Sequence, residues 1–139
     1  MPSITFHSED LPFKLPTPNK IKTWLKTVIK EEGWKLGNLN YIFCSDSYLY
    51  QMNVQHLQHD TLTDVITFQY SEEAVEGDIF ISVERTSENA KTYKVSDLYE
   101  LQRVMVHGLL HLMGYGDKSP ADKVEMTAME DKYLGMLVG

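Results

Sequence analysis

His107 and His111 are four residues apart in the run HGLLHLMGYGD, and Asp117 follows His111 by six residues. Four residues make about one turn of an α-helix, so both imidazoles would project from one face and could bind one ion. Gly114 is placed to end that helix in a left-handed turn. Beyond the turn, the Asp117 carboxylate could complete the coordination sphere from the side. The pattern HxxxHxxGxxD therefore predicts one metal ion, zinc in the first instance, bound by these three residues.

The spacing equals that of the extended metalloprotease signature, in which H-E-x-x-H is followed by x-x-G-x-x-H. Gly108 stands where the signature has its glutamate base, so peptide hydrolysis by that base is not expected. Asp117 stands where the signature has its third histidine, and a carboxylate oxygen is an acceptable zinc ligand. Two histidines and one carboxylate also describe the facial triad of non-haem iron oxygenases. The residues alone therefore leave another divalent metal open.

Three protein ligands would leave a fourth position for water, whose pKa a zinc site lowers toward about 7. Hydrolysis is the expected chemistry, and activated water, rather than a side chain, is the expected nucleophile. Phosphodiester cleavage fits because it needs no glutamate base beside the ion. A histidine on an apolar helix is more often an ordinary core residue than a metal ligand. No helix-ending glycine and carboxylate accompany His7, His56 and His59, which are therefore interpreted as ordinary core or surface residues.

The composition is that of a folded domain: 139 residues, 42% of them hydrophobic and 24% charged. This length predicts a single domain over residues 1–139. Cys44 is the only cysteine, so no internal disulfide is expected. The absence of a signal-peptide pattern and of a long apolar run predicts a cytoplasmic protein without a membrane segment. The net charge of -7 repels polyanions, so nucleic-acid binding would need a local basic patch or the metal.

Hydrophobic periodicity predicts about four strands, expected to form one mixed β-sheet, and about five helices packed with it. The strands are expected at 3–7, 36–44, 65–70 and 78–83, the last two paired as a hairpin. The helices are expected at 18–33, from 45 or 46 to about 58, at 84–93, from 96 to 114, and at 121–136. Thr17 and Ser96 are expected to cap two of these helices, and Gly33 to end the first.

The helix that carries the metal motif is expected to be the buried central one. Apolar residues surround most of its circumference; they are Leu98, Leu101, Val104, Met105, Val106, Leu109, Leu110 and Leu112.

The segments VHGLLHLMGY, TDVITF and EGDIFIS together resemble the bacterial YbeY family of rRNA maturation factors over most of the chain. The resemblance implies a zincin-like α+β fold and a metal-dependent endoribonuclease specific for single strands, acting in 16S rRNA end processing and ribosome quality control. It implies single-stranded RNA, rRNA, the ribosome and ribosomal proteins as partners. His107 and His111 match the family's first two zinc ligands. Asp117 replaces the family's third histidine, and Leu57 stands where the family usually has an arginine.

Five further residues match the family or are potential site groups, and each has a simpler interpretation. Thr63 and Asp64 match a family Thr-Asp pair and are interpreted as a turn cap. Arg85 and Arg103 are interpreted as structural, Arg103 through pairing with Glu100. Glu130 is interpreted as a solvated carboxylate, although a role behind a metal ligand is conceivable.

Asp117, Leu57 and the acidic net charge also support a different hypothesis, in which the protein is a non-catalytic ribosome-associated binding factor and the ion is structural. A metalloprotease is the third and weakest interpretation, because Gly108 has no side chain that could act as a base.

Overall fold

Nine secondary-structure elements follow one another in a computed structural model of the chain, which describes residues 2–57 and 63–137, apart from the side chains of 56 and 57. They are β1 (Ser3–Ser8), α1 (Pro18–Glu31), β2 (Leu36–Cys44), α2 (Asp46–Leu57), β3 (Val65–Gln69), β4 (Val75–Ser82), α3 (Val83–Tyr93), α4 (Asp97–Leu112) and α5 (Pro120–Leu137). The prediction of an α+β fold with about four strands and five helices is confirmed.

The four strands form one mixed sheet in the order β1-β2-β4-β3. β1 and β4 both lie parallel to β2, whereas β3 pairs antiparallel with β4 in the predicted hairpin. β4 begins at Val75, three residues earlier than predicted. The sequence around Val75 is acidic and resembles a loop, but Val75 itself is buried and pairs with Leu36 of β2. Gly77 of β4 allows β3 to approach closely, since a Cβ on it would overlap the Phe68 carbonyl of β3.

The residues predicted to begin or end helices do so in the structure, with one exception. Gly33 ends α1 with a φ of +78°, and the Ser96 hydroxyl accepts the Tyr99 amide at the start of α4, as predicted. Thr17 does occupy the position before α1, but its side chain makes no capping hydrogen bond. Its left-handed backbone, with a φ of 45°, differs from the extended conformation in which a threonine cap can reach the first amides. Pro18 then starts the helix.

α4 is the central helix, as predicted, and packs on β3 and β4 and against α3 and α5. Most of its circumference is buried, and the Tyr41 hydroxyl of β2 donates to the Met105 carbonyl at 2.8 Å inside the core. None of the helices in the described part of the chain combines the length and the apolar character needed to cross a bilayer.

Gly108 should be required for the contact between α4 and the sheet. A Cβ at this position would lie 2.9 Å from Cγ2 of Ile79 and 3.5 Å from Cγ2 of Thr67. Gly108→Ala should therefore lower the free energy of unfolding by about 1–3 kcal/mol relative to Gly135→Ala, measured by urea titration. Gly135→Ala is a matched control because it gives the same gain in helix propensity in α5, with no atom within 4 Å of the added methyl. Equal stability of the two variants would contradict this packing argument.

Candidate metal centre

The three residues predicted as ligands converge at the end of α4. His107 and His111 lie on its partly exposed stripe, with ring centroids 4.7 Å apart. The chain then turns at Gly114, which has a φ of +97°, and brings back Asp117. Oδ2 of Asp117 lies 3.2 Å from Nε2 of His111 and 3.5 Å from Nε2 of His107. The structure thus places all three side chains together.

The donor atoms are arranged as a small cation would require. One nitrogen or oxygen from each of His107, His111 and Asp117 can be chosen so that all three lie within 4.8 Å of one another. Atoms bound to one tetrahedral zinc at about 2.0–2.1 Å would lie roughly 3.3 Å apart. Two imidazoles and a carboxylate are also ligand types that zinc accepts. The residues present therefore fit a single divalent ion.

Glu130 of α5 is part of this site, so its interpretation as a solvated carboxylate is wrong. Its side chain is buried, and Oε2 lies 2.5 Å from Nδ1 of His107. A carboxylate at that nitrogen favours the neutral imidazole tautomer with the proton on Nδ1, which leaves the lone pair of Nε2 available to a metal ion. Glu130 is thus placed to orient the first candidate ligand, His107, and to increase its basicity.

Arg103 holds Glu130 in place. Its guanidinium pairs with Glu100 through two hydrogen bonds of 2.9 and 2.7 Å, as predicted, and with Oε1 of Glu130 at 2.8 Å. Both carboxylates are buried, and a guanidinium that bonds both of them satisfies groups that would otherwise be costly to bury. The His107 imidazole is therefore held on its Nδ1 side by a connected series of contacts, which runs from Glu100 through Arg103 to Glu130.

The charges around His107 favour a cation. Burial lowers the pKa of His107, but the hydrogen bond and charge of Glu130, with the charges of Asp64 and Asp117, raise it above its usual value. Burial raises the pKa of Asp64, and this effect exceeds the opposing influence of His107 and Arg103. Three acidic side chains thus surround one candidate ligand.

Thr63 keeps its predicted turn role, since its hydroxyl donates to the Val65 carbonyl at 3.3 Å. Asp64 does more than cap a turn. Its carbonyl accepts the Ser82 amide, whereas its carboxylate accepts from Asn89 at 3.5 Å and lies within electrostatic reach of His107. The one sequence signal for Asp64 was the family Thr-Asp pair, which does not distinguish a turn cap from a residue near the candidate metal centre.

The other candidate residues lie away from this centre or cannot be placed. Arg85 forms a salt bridge with Asp46 at 2.7 Å, which agrees with a structural role. His7 is exposed on β1, with Nε2 3.0 Å from the Thr5 hydroxyl. The side chains of His56 and Leu57, and the whole of His59, lie outside the described residues.

Comparison with known proteins decides the family. The family described as Endoribonuclease YbeY matches residues 3–138. This chain belongs to the YbeY family. A relative named Endoribonuclease YbeY from Amoebophilus asiaticus is 49% identical over 134 residues, covering 95% of this chain and 91% of the relative. Another with the same name, from Cytophaga hutchinsonii, is 48% identical over 136 residues, covering 96% and 95%.

A solved structure shares this fold. The solution structure of TM1509 from Thermotoga maritima superposes with a TM-score of 0.70 at 31% sequence identity, covering 96% of this chain and 88% of that one. The resemblance to the YbeY family that the motif segments indicated is therefore confirmed along nearly the whole chain.

Proposed function

We propose that this protein is a metal-dependent endoribonuclease that cleaves single-stranded regions of ribosomal RNA during rRNA maturation, with one zinc ion bound by His107, His111 and Asp117. The observation that carries the proposal is the convergence of these three side chains on one point at a partly exposed surface. The YbeY family and the names of the relatives support the reaction class. An rRNA substrate would place the protein in the cytoplasm, in contact with the ribosome.

The exposure of the ligands favours a catalytic ion over a structural one. The side chains of His107, His111 and Asp117 are 20%, 27% and 40% exposed, so the site opens to solvent. Structural zinc sites are closed by four protein ligands, whereas catalytic ones keep a position for water or substrate. Among the described residues, the candidate group contains three ligands. This arrangement supports a hydrolase more than a ribosome-binding factor with a purely structural metal.

When bound, the ion would supply Lewis-acid activation of water and of a phosphoryl oxygen. The chain itself contributes the orientation of the ligands: Glu130 holds the His107 ring, and the turn at Gly114 brings Asp117 back to α4. Compared with a third histidine, Asp117 lowers the positive charge of the site, which reduces polarisation of the substrate and affects metal preference.

A protease reaction has little support from the structure. The position of the protease glutamate is occupied by Gly108, which faces Ile79 in the contact between α4 and the sheet. A longer side chain there would meet the core rather than the cleft, so this position does not offer a general base.

The test uses a labelled RNA in two forms, single-stranded and annealed to its complement. Purified protein loaded with one equivalent of zinc should cleave the single strand internally and leave the duplex intact. Removal of the metal with a chelator should stop cleavage, and re-addition of zinc should restore it. The products are measured on a denaturing gel.

Two outcomes would contradict the proposal. Cleavage that persists after chelation would exclude a metal-dependent reaction. Ribosome binding that is lost on chelation, without any RNA cleavage in the loaded protein, would favour the binding factor with a structural ion.

A further inference from the structure

The segment between α4 and α5 carries Asp117, the most exposed of the three proposed ligands. The amides of Gly114 and Tyr115 donate to the carbonyls of His111 and Leu110, which fixes where the segment leaves α4. The second of these bonds ends at Tyr115, two residues before Asp117. A carboxylate at the end of a short turn needs a further anchor to keep a ligand geometry, since a misplacement of about 1 Å is enough to spoil a site.

Glu32, next to the end of α1, provides a contact of this kind. The Tyr115 hydroxyl donates to Oε1 of Glu32 at 2.7 Å, and the Tyr133 hydroxyl of α5 donates to the other oxygen. Glu32 is itself fixed, because its amide donates to the Val28 carbonyl at 3.0 Å. Tyr133 is fully buried, and its carbonyl accepts the Trp24 indole at 2.7 Å. One carboxylate thus joins α1, the ligand segment and α5.

We propose that Glu32 is a positioning residue of the metal centre, which acts through Tyr115 to hold Asp117 against His107 and His111. The inference rests on the proposed metal site and adds a second supporting carboxylate to it. Glu130 orients His107, and Glu32 fixes the segment of Asp117.

α5 connects these two carboxylates. Glu130 and Tyr133 are three residues apart on its buried side, so Glu130 faces His107 while Tyr133 reaches Glu32. α5 therefore contacts both parts of the proposed ligand set. It contacts the imidazole on α4 directly, and it contacts the segment of the carboxylate beyond the turn through Glu32. The exposed ligand depends on a contact between residues 83 positions apart in the chain.

Tyr115→Phe tests the proposal because it removes the hydroxyl and keeps the ring. On the full chain, zinc affinity measured by competition with a chromophoric chelator should fall about 10-fold, the lower end of the range for residues that support a metal ligand. Glu32→Gln should weaken zinc binding in the same direction. Tyr70→Phe is the matched control, since it removes a tyrosine hydroxyl from another carboxylate, that of Asp78, outside the ligand segment and its contact with Glu32. Its zinc affinity should stay within about twofold of wild type.

A double-mutant comparison separates positioning from a general effect on folding. In an Asp117→Ala background, Tyr115→Phe should change the residual zinc affinity by less than about twofold, because the ligand on which it acts is gone. An unchanged zinc affinity for Tyr115→Phe with Asp117 present would overturn the proposal. The same loss in both backgrounds would also overturn it.

The zinc measurement does not depend on RNA cleavage. If the nuclease activity proposed above fails, zinc binding by wild type and its dependence on Tyr115 are still measured. If the role of Glu32 fails, wild-type zinc binding and RNA cleavage are unaffected. The two failures are therefore distinguishable.

Discussion

His111→Ala should abolish cleavage of single-stranded RNA. His111 supplies one of three proposed ligands, and Asp117 has its nearest contact there, at 3.2 Å. Loss of a residue that only supports a ligand typically weakens metal binding 10–100-fold, so loss of a ligand should exceed about 100-fold. Turnover should fall with it, since the proposed reaction needs the bound ion. The measurements are zinc affinity and the rate of fragment formation from a labelled single strand.

The fold should tolerate this change. His111 is partly exposed, and its hydrogen-bonding contact is with Asp117, another surface residue. His7→Ala is a matched control because it removes an exposed imidazole from β1, far from the ligands. That variant should keep full zinc binding and cleavage. Equal cleavage by His111→Ala and wild type would show that a contaminating nuclease accounts for the activity.

Glu130→Gln should weaken zinc binding about 10–100-fold while leaving the three proposed ligands in place. The amide cannot supply the charge that the carboxylate directs at Nδ1 of His107, so the ring loses basicity and its fixed tautomer. Arg103 keeps its two bonds to Glu100, which should preserve the packing of α4. Zinc affinity should be compared with that of Glu125→Gln, an exposed carboxylate on the same helix that should behave as wild type.

The same variant has a pH signature in the metal-free protein. Burial lowers the pKa of His107, but Glu130 and the neighbouring carboxylates raise it above 6.5, and Glu130→Gln should lower it again. A pKa that is raised by folding contributes stability that is fully present below pH 6.5 and is lost as the pH rises through the folded value. The difference in unfolding free energy between wild type and Glu130→Gln should therefore shrink as the pH rises. The pKa of His107 can be followed by NMR in both proteins. The same pKa in wild type and in Glu130→Gln would contradict the contact between Glu130 and His107.

The motif helix and the convergence of its three candidate ligands could be predicted because their signals are local. Histidines one turn apart, a helix-ending glycine and a carboxylate after the turn are all contained in His107–Asp117, and an apolar circumference marks a central helix wherever it occurs. The hairpin of β3 and β4 was also local. Val75 was missed because it enters the sheet through pairing with Leu36, a contact that the acidic sequence around it does not indicate.

Glu130 was missed because its immediate neighbours, Asp131 and Lys132, resemble a solvated face. A signal was nevertheless present: the buried residues of α5 recur at helical spacing, and Glu130 falls on that stripe between Met126 and Tyr133. A carboxylate in an apolar stripe needs a partner, and His107 with Arg103 provides it. The contact of Tyr115 with Glu32 had no such signal, since it depends on how α1 packs beside α5.

The most direct test of the proposed catalytic metal centre is a zinc titration of chelator-stripped protein, with bound metal and single-strand cleavage measured on the same samples. If His107, His111 and Asp117 bind one catalytic ion, cleavage should rise in proportion to bound zinc and reach its maximum at one equivalent per chain. Full cleavage by the stripped protein, or stoichiometric zinc binding that leaves cleavage absent, would contradict the account.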